Sequence, residues 1–243
     1  MVNLSNLFDV GRNLYAMPAY QSRSGLAPMP LRYFFELTYR CNLNCPYCYV
    51  GNDRIKEELT TDEWYKIIDQ IPWYSFVTLV GGEPLVRKDF VDILMKTSKK
   101  TFGKLNVVSN GILINDEIID AFIKSKMMLL SVSLDGYGKN HDLNRAKDGI
   151  WDKIMNNFDN MNSRKKRPMI DIKTIVLENN LDDLVKLYKM CDEKNFNFLS
   201  ISFLRNNNLK QNSVLFDSFV PEFNANYPIE KYFDMEIYLQ HRI

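Results

Sequence analysis

Residues 76–111, FVTLVGGEPLVRKDFVDILMKTSKKTFGKLNVVSNG, hold one complete structural unit and the opening of the next. Two short β-rich runs, 76–80 and 105–109, flank an amphipathic helical stretch near 89–99. Strand, helix, strand is the pattern of a parallel sheet built from β/α units.

The alternation extends in both directions from about residue 31. Strands are expected at 32–37, 76–80, 105–109, 128–134, 170–177 and 198–204. Helices are expected near 62–71, 89–99, 116–125, 150–162 and 181–194, the first opened by Thr60 with Glu63 at capping-box spacing. Within 150–162, Trp151, Ile154, Met155, Phe158 and Met161 recur at helical spacing and read as core. With right-handed crossovers the fold class is α/β, a partial (β/α)6 TIM-like barrel of parallel strands. The core domain spans 31–205. Residues 1–30 read as an irregular N-terminal leader, and 206–243 as a short C-terminal tail, or the start of a further region, with no clear seventh β/α unit.

At 243 residues, 46% hydrophobic and 25% charged, the chain falls among soluble globular proteins with one sizeable core. Its 31 basic and 30 acidic side chains give no electrostatic case for nucleic acid. The basic run Arg164–Arg167 closes an expected helix, where cations face the favourable end of its dipole. The start, MVNLSNLFDV, lacks the basic and apolar regions of a signal peptide, and no uncharged apolar run reaches the roughly 18 residues of a membrane span. A cytoplasmic location without membrane contact follows, and there clustered cysteines more often bind metal than form disulfides.

Three of the four cysteines, Cys41, Cys45 and Cys48, stand in one loop after the first strand, RCNLNCPYCYVGN. Three thiolates from a short loop suit a metal centre that keeps one position open, and a [4Fe–4S] cube held this way leaves one iron free for a small molecule. Zinc is the alternative, but a structural zinc site is normally closed by four ligands, and His141 and His241 have no ligand pair nearby. Cys191 shares a helix face with Leu184, Leu187 and Tyr188 and reads as a small buried hydrophobe.

The spacing Cys-x3-Cys-x2-Cys, with Tyr47 before the last cysteine, resembles the signature of radical S-adenosylmethionine (SAM) enzymes. The other polar signals follow strands, at the face where parallel α/β folds build their sites. Gly81, Gly82, Glu83 and Pro84 match the segment that binds the SAM amino group in that family. Ser109 and Asn110 end the third strand; Ser133 and Asp135 end the fourth, within SVSLDGYGKNHDLNR. The resemblance places Ser133 and Arg145 near the SAM carboxylate and the others near its ribose, and their hydrogen-bonding chemistry agrees. His141 reads as a structural histidine. Asn179 and Arg205 are weaker candidates for cofactor or substrate contact, since capping and loop roles suit both. The fifth strand, IDIKTIVL, departs from the glycine-flanked pattern that cups adenine in part of the family.

Membership would imply a [4Fe–4S] cluster and SAM as cofactors, reductive cleavage of SAM to a 5′-deoxyadenosyl radical, and hydrogen abstraction from a substrate. It would also imply an electron donor such as flavodoxin or ferredoxin. The motif style, ELTYRCNLNCPYCY, is closest to the SPASM branch that matures peptides, proteins and cofactors, which points to a peptide or small-molecule substrate. Many members of that branch add a C-terminal domain with cysteine-bound auxiliary clusters; these 243 residues hold no such cysteines, so either a single-cluster enzyme or the core of a longer natural chain is expected. The alternative is an iron–sulfur or electron-transfer module without SAM chemistry. The GGEP segment and the polar groups from Ser133 to Arg145 discriminate, because an electron carrier has no use for an amino-acid-binding shell.

Overall fold

The structure, a computed structural model, describes residues 17, 29–48, 50, 57–203 and 236–240. The first helix, α1 (Thr61–Gln70), begins where its sequence dictates. The Thr60 side chain accepts the Glu63 amide, and the Glu63 carboxylate accepts the Thr60 amide at 2.8 Å, a complete capping box. Its buried face carries Trp64 and Ile68. One apolar stripe likewise shapes α2 (Phe90–Thr101), α3 (Asp116–Ser125), α5 (Ile150–Asn162) and α6 (Leu181–Glu193), and α3 is also capped by Asn115, which accepts the Ile118 amide at 2.9 Å.

Between the helices run β1 (Arg32–Glu36), β2 (Phe76–Val80), β3 (Leu105–Ser109), β4 (Leu129–Ser133), β5 (Met169–Val176) and β6 (Phe198–Phe203). All pair in parallel and in chain order, as expected. A seventh parallel strand, β7 (Glu236–Gln240), joins β6 from the tail where no further unit was expected. The order ends at β1 and β7, so the barrel is partial and open. Two other elements escaped the sequence: a 3-10 turn at Pro84–Val86 and the short helix α4 (Lys139–Asn144). Most of the expected leader and tail, together with Arg205 and His241, lies outside the described residues.

Strand alternation divides the sheet into two faces. Val77, Leu79, Leu105, Val107, Leu130, Val132, Ile170, Ile172, Leu199 and Ile201 are buried in a single core with the helical stripes, including Phe90, Phe122, Phe158 and Cys191. The opposite face is polar. Ser131 Oγ lies 2.9 Å from Asp171 and 3.2 Å from Asn106, while Ser200 donates to Asp171 at 2.7 Å and Lys173 pairs with it at 2.9 Å. A polar inner face is satisfied strand to strand, as buried polar groups require.

Candidate active site

The carboxyl ends of β1 to β4 gather the residues singled out in the sequence. The cysteine loop leaves β1 and is pressed at once onto the turn after β2. The Gly82 amide donates to Thr38 O at 2.7 Å, and the Glu83 amide to Arg40 O at 2.9 Å. A Cβ on Gly82 would stand 2.5 Å from Arg40 O, and one on Gly81 2.4 Å from Thr38 O. The close approach these glycines permit is therefore to the backbone of the cysteine loop.

Glu83 is fully buried, with its carboxylate turned toward β3. It accepts the Asn110 amide at 2.7 Å, the Ser109 hydroxyl at 2.9 Å and the Leu85 amide at 3.2 Å. Burial raises its pKa to about 7, and the three donors together with Arg145 oppose that rise. The Asn110 side chain reaches back to the cysteine loop, donating to Asn42 at 2.7 Å with Cys41 Sγ 4.0 Å away. Ser109, Asn110 and Glu83 thus form one connected group beside Cys41.

A second group forms at the end of β4. Asp135, wholly buried, accepts the Tyr47 hydroxyl at 2.7 Å and the Ile175 amide at 2.8 Å, and pairs with the Arg145 guanidinium. Arg145 lies 3.8 Å from Cys45 Sγ and 5.9 Å above the Tyr47 ring. Burial works against its charge, yet Asp135, Tyr47 and Cys45 outweigh burial and hold it protonated. Burial pushes the Cys45 thiol up, and Arg145 pulls the other way. Burial and the Asp135 carboxylate hold the Tyr47 phenol well above its ordinary pKa, which keeps it a donor. Ser133 stands half-buried at the end of β4, paired in register with Lys173.

His141 Nδ1 accepts the Asp135 amide at 3.1 Å, while its buried Nε2 has no protein partner among the described residues; burial first, then Arg145, takes its pKa down to about 3. Asn179 joins α4 instead, donating to Asn144 at 2.7 Å. Cys191 is buried in the core. Sequence reasoning passed over Asn42, and also Asn180, whose buried side chain accepts the Leu177 amide and donates to the carbonyls of Ile175 and Asp135. Asp142 was missed as well; it caps the start of α5 through Gly149 and Trp151. Isolated Asn and Asp residues in loops carry no spacing signal, and only the fold gives them partners.

The donor set has the chemistry of an iron–sulfur site: three half-buried thiols on one loop, none in a disulfide, with a turn from the Cys48 amide to Cys45 O at 3.1 Å. Cys41 Sγ accepts the Leu43 amide at 3.4 Å and Cys45 Sγ lies beside Arg145, and among the described residues no three His, Cys, Asp or Glu side chains are already gathered to hold a metal ion.

The model of the Radical SAM superfamily matches residues 35–191, well over half the chain. This chain belongs to the radical SAM superfamily.

Among radical SAM relatives, it is 28% identical over 181 residues to the sporulation killing factor maturation protein SkfB of Bacillus subtilis, covering 73% of this chain and 43% of the relative. It is 32% identical to the AdoMet-dependent heme synthase of Methanosarcina barkeri, covering 65% and 46%. To the PqqA peptide cyclase of Bradyrhizobium diazoefficiens it is 34% identical, covering 52% and 32%. The chain thus spans less than half the length of these curated relatives. In fold it is similar to Streptococcus suis SuiB bound to S-adenosylmethionine, with a TM-score of 0.77 at 16% identity over 97% of this chain and 56% of that one. Among the described residues no helix is long and apolar enough to cross a membrane.

Proposed function

We propose that this radical SAM protein holds a [4Fe–4S] cluster through Cys41, Cys45 and Cys48, binds SAM beside it, and modifies a peptide or protein side chain. One observation carries the proposal. In a chain of this superfamily, the cysteine loop and the ends of β2, β3 and β4 meet through direct contacts, Asn110 beside Cys41 and Arg145 beside Cys45.

When bound, the cluster and SAM would supply one-electron cleavage of a carbon–sulfur bond and the radical chemistry that takes hydrogen from substrate. The chain supplies position and charge. Glu83, once ionised, would receive the SAM ammonium with Gly81 and Gly82 beside it, and Ser109 and Asn110 hold Glu83 in place. Arg145, kept protonated by Asp135, would hold the SAM carboxylate together with Ser133, and Tyr47 secures the loop through Asp135. The electron comes from a flavodoxin- or ferredoxin-like donor.

For the substrate, two relatives named as a peptide cyclase and a maturation protein favour a peptide. The heme synthase relative supports a second possibility, a small molecule. The test is anaerobic reconstitution, reduction and incubation with SAM, with 5′-deoxyadenosine detected by mass spectrometry and Cys45→Ala as control. Product from the parent chain alone is expected. An intact cluster that neither binds nor cleaves SAM would favour an electron-transfer module and sink the proposal.

A further inference from the structure

We infer that Arg87 is the positioning residue that clasps both stems of the cysteine loop and so sets where its three thiols stand. The effect on the loop is independent of the function proposed above; the effect on a cluster rests on it.

Arg87 is the C-cap of the 3-10 turn that follows Glu83. It is 7% exposed. Its Nη1 donates to Leu37 O at 2.9 Å, on the stem that enters the loop, and its Nη2 to Leu59 O at 3.0 Å, on the stem that leaves it. Asp89 takes the guanidinium bidentately, Nε at 2.9 Å and Nη2 at 2.6 Å, and also accepts the Thr61 hydroxyl at 2.7 Å. Glu58 lies 3.4 Å from Nη1 and binds Arg40 through two nitrogens, at 2.9 and 3.1 Å, as well as the Thr38 hydroxyl.

One planar fork therefore ties the end of β1, the returning stem and the approach to α2, and through Asp89 it reaches Thr61 at the start of α1. Every donor of the fork has a protein acceptor on one of those four segments. Two of the acceptors are main-chain carbonyls on opposite sides of the loop, and their separation is fixed by the geometry of the guanidinium. A lysine, with a point charge on a flexible stem, cannot span the same set. Without the clasp the loop regains conformational freedom, and three thiols meant for one centre lose their common placement.

The test uses the full metal-free chain, with Arg87→Lys, Arg87→Met and the milder Asp89→Asn as variants. The Gly82 and Glu83 amides, which donate to the incoming stem, report loop docking by hydrogen exchange. Cys191, fully buried on α6, reports global opening by alkylation. We expect the two amides to exchange at least roughly tenfold faster in the Arg87 variants, Asp89→Asn to fall between, and Cys191 to keep its parental rate. After reconstitution, iron release to a chelator is expected to quicken by a similar factor. Unchanged amide exchange, or a matching rise at Cys191, overturns the inference. A parent chain that takes up no iron, with the exchange result intact, would instead overturn the proposed function.

Discussion

The Tyr47 hydroxyl donates to the Asp135 carboxylate across 2.7 Å, and this bond fastens the tip of the cysteine loop to the end of β4. Tyr47→Phe removes the bond and keeps the ring beneath Arg145. A hydrogen bond to a charged acceptor contributes about 1.5–3 kcal/mol, so urea unfolding of the metal-free chain should show a loss in that range. Iron release after reconstitution should quicken alongside it.

Arg145 and Asp135 form a buried pair, their side chains 13% and 0% exposed. Arg145→Met strands the carboxylate and should cost about 3–5 kcal/mol, whereas Arg145→Met combined with Asp135→Asn should recover part of that loss. A double-mutant cycle by chemical denaturation measures the coupling, and simple additivity would contradict it.

Two buried groups give stability opposing dependences on pH. Glu83 has a folded pKa raised to about 7 from 4.5, so its contribution is full below pH 4.5 and is lost as pH rises through about 7. His141 has a folded pKa lowered to about 3 from 6.5, so its contribution is full above pH 6.5 and is lost as pH falls toward 3. Between about pH 4.5 and 6.5 the two slopes, each near 1.4 kcal/mol per pH unit at most, cancel. Glu83→Gln should therefore unmask a stability that rises with pH across this window in the metal-free chain. His141→Gln should unmask one that falls. Denaturation midpoints at pH 5, 6 and 7 decide the signs.

Gly82→Ala drives a methyl group into Arg40 O at 2.5 Å and Tyr39 O at 2.8 Å, both main chain. The loop has to move away, at a cost of about 1–3 kcal/mol. Iron uptake on reconstitution should fall with it. Cys191→Ala, which touches only the core, should cost stability while leaving iron uptake at the parental level.

Long, strongly periodic segments were legible in the sequence: six strands and five helices lie within a residue or two of their expected bounds. What was hidden depended on distant partners. The helix α4, KNHDLN, offers a single aliphatic residue and follows Gly138 at φ 61°, so no apolar stripe announces it. The strand β7 is paired by β6, a partner far away in sequence. At the site, Glu83, Ser109 and Asn110 were recognisable by their place after strands. That Asp135 spends its oxygens on Tyr47, Arg145 and the Ile175 amide was not, because α4 carries Arg145 back over the end of β4. Arg87 was equally illegible, since both carbonyls it holds belong to main chain that any sequence would supply.

The strict succession of β1 to β7 across the sheet has a consequence for synthesis. Every side chain assigned to the cluster or to SAM lies between Cys41 and Arg145, so the ribosome emits the whole set before the last three strands exist. Each unit can dock on the one already made, as domains that fold from the N-terminus do. The contacts that wait include the Ile175 amide on the Asp135 carboxylate and the Asn180 side chain on the Asp135 carbonyl, which arrive with β5 and the turn after it and close the second group of the site. A nascent chain halted just past α4 and Arg145 would hold every proposed ligand and still lack that final latch.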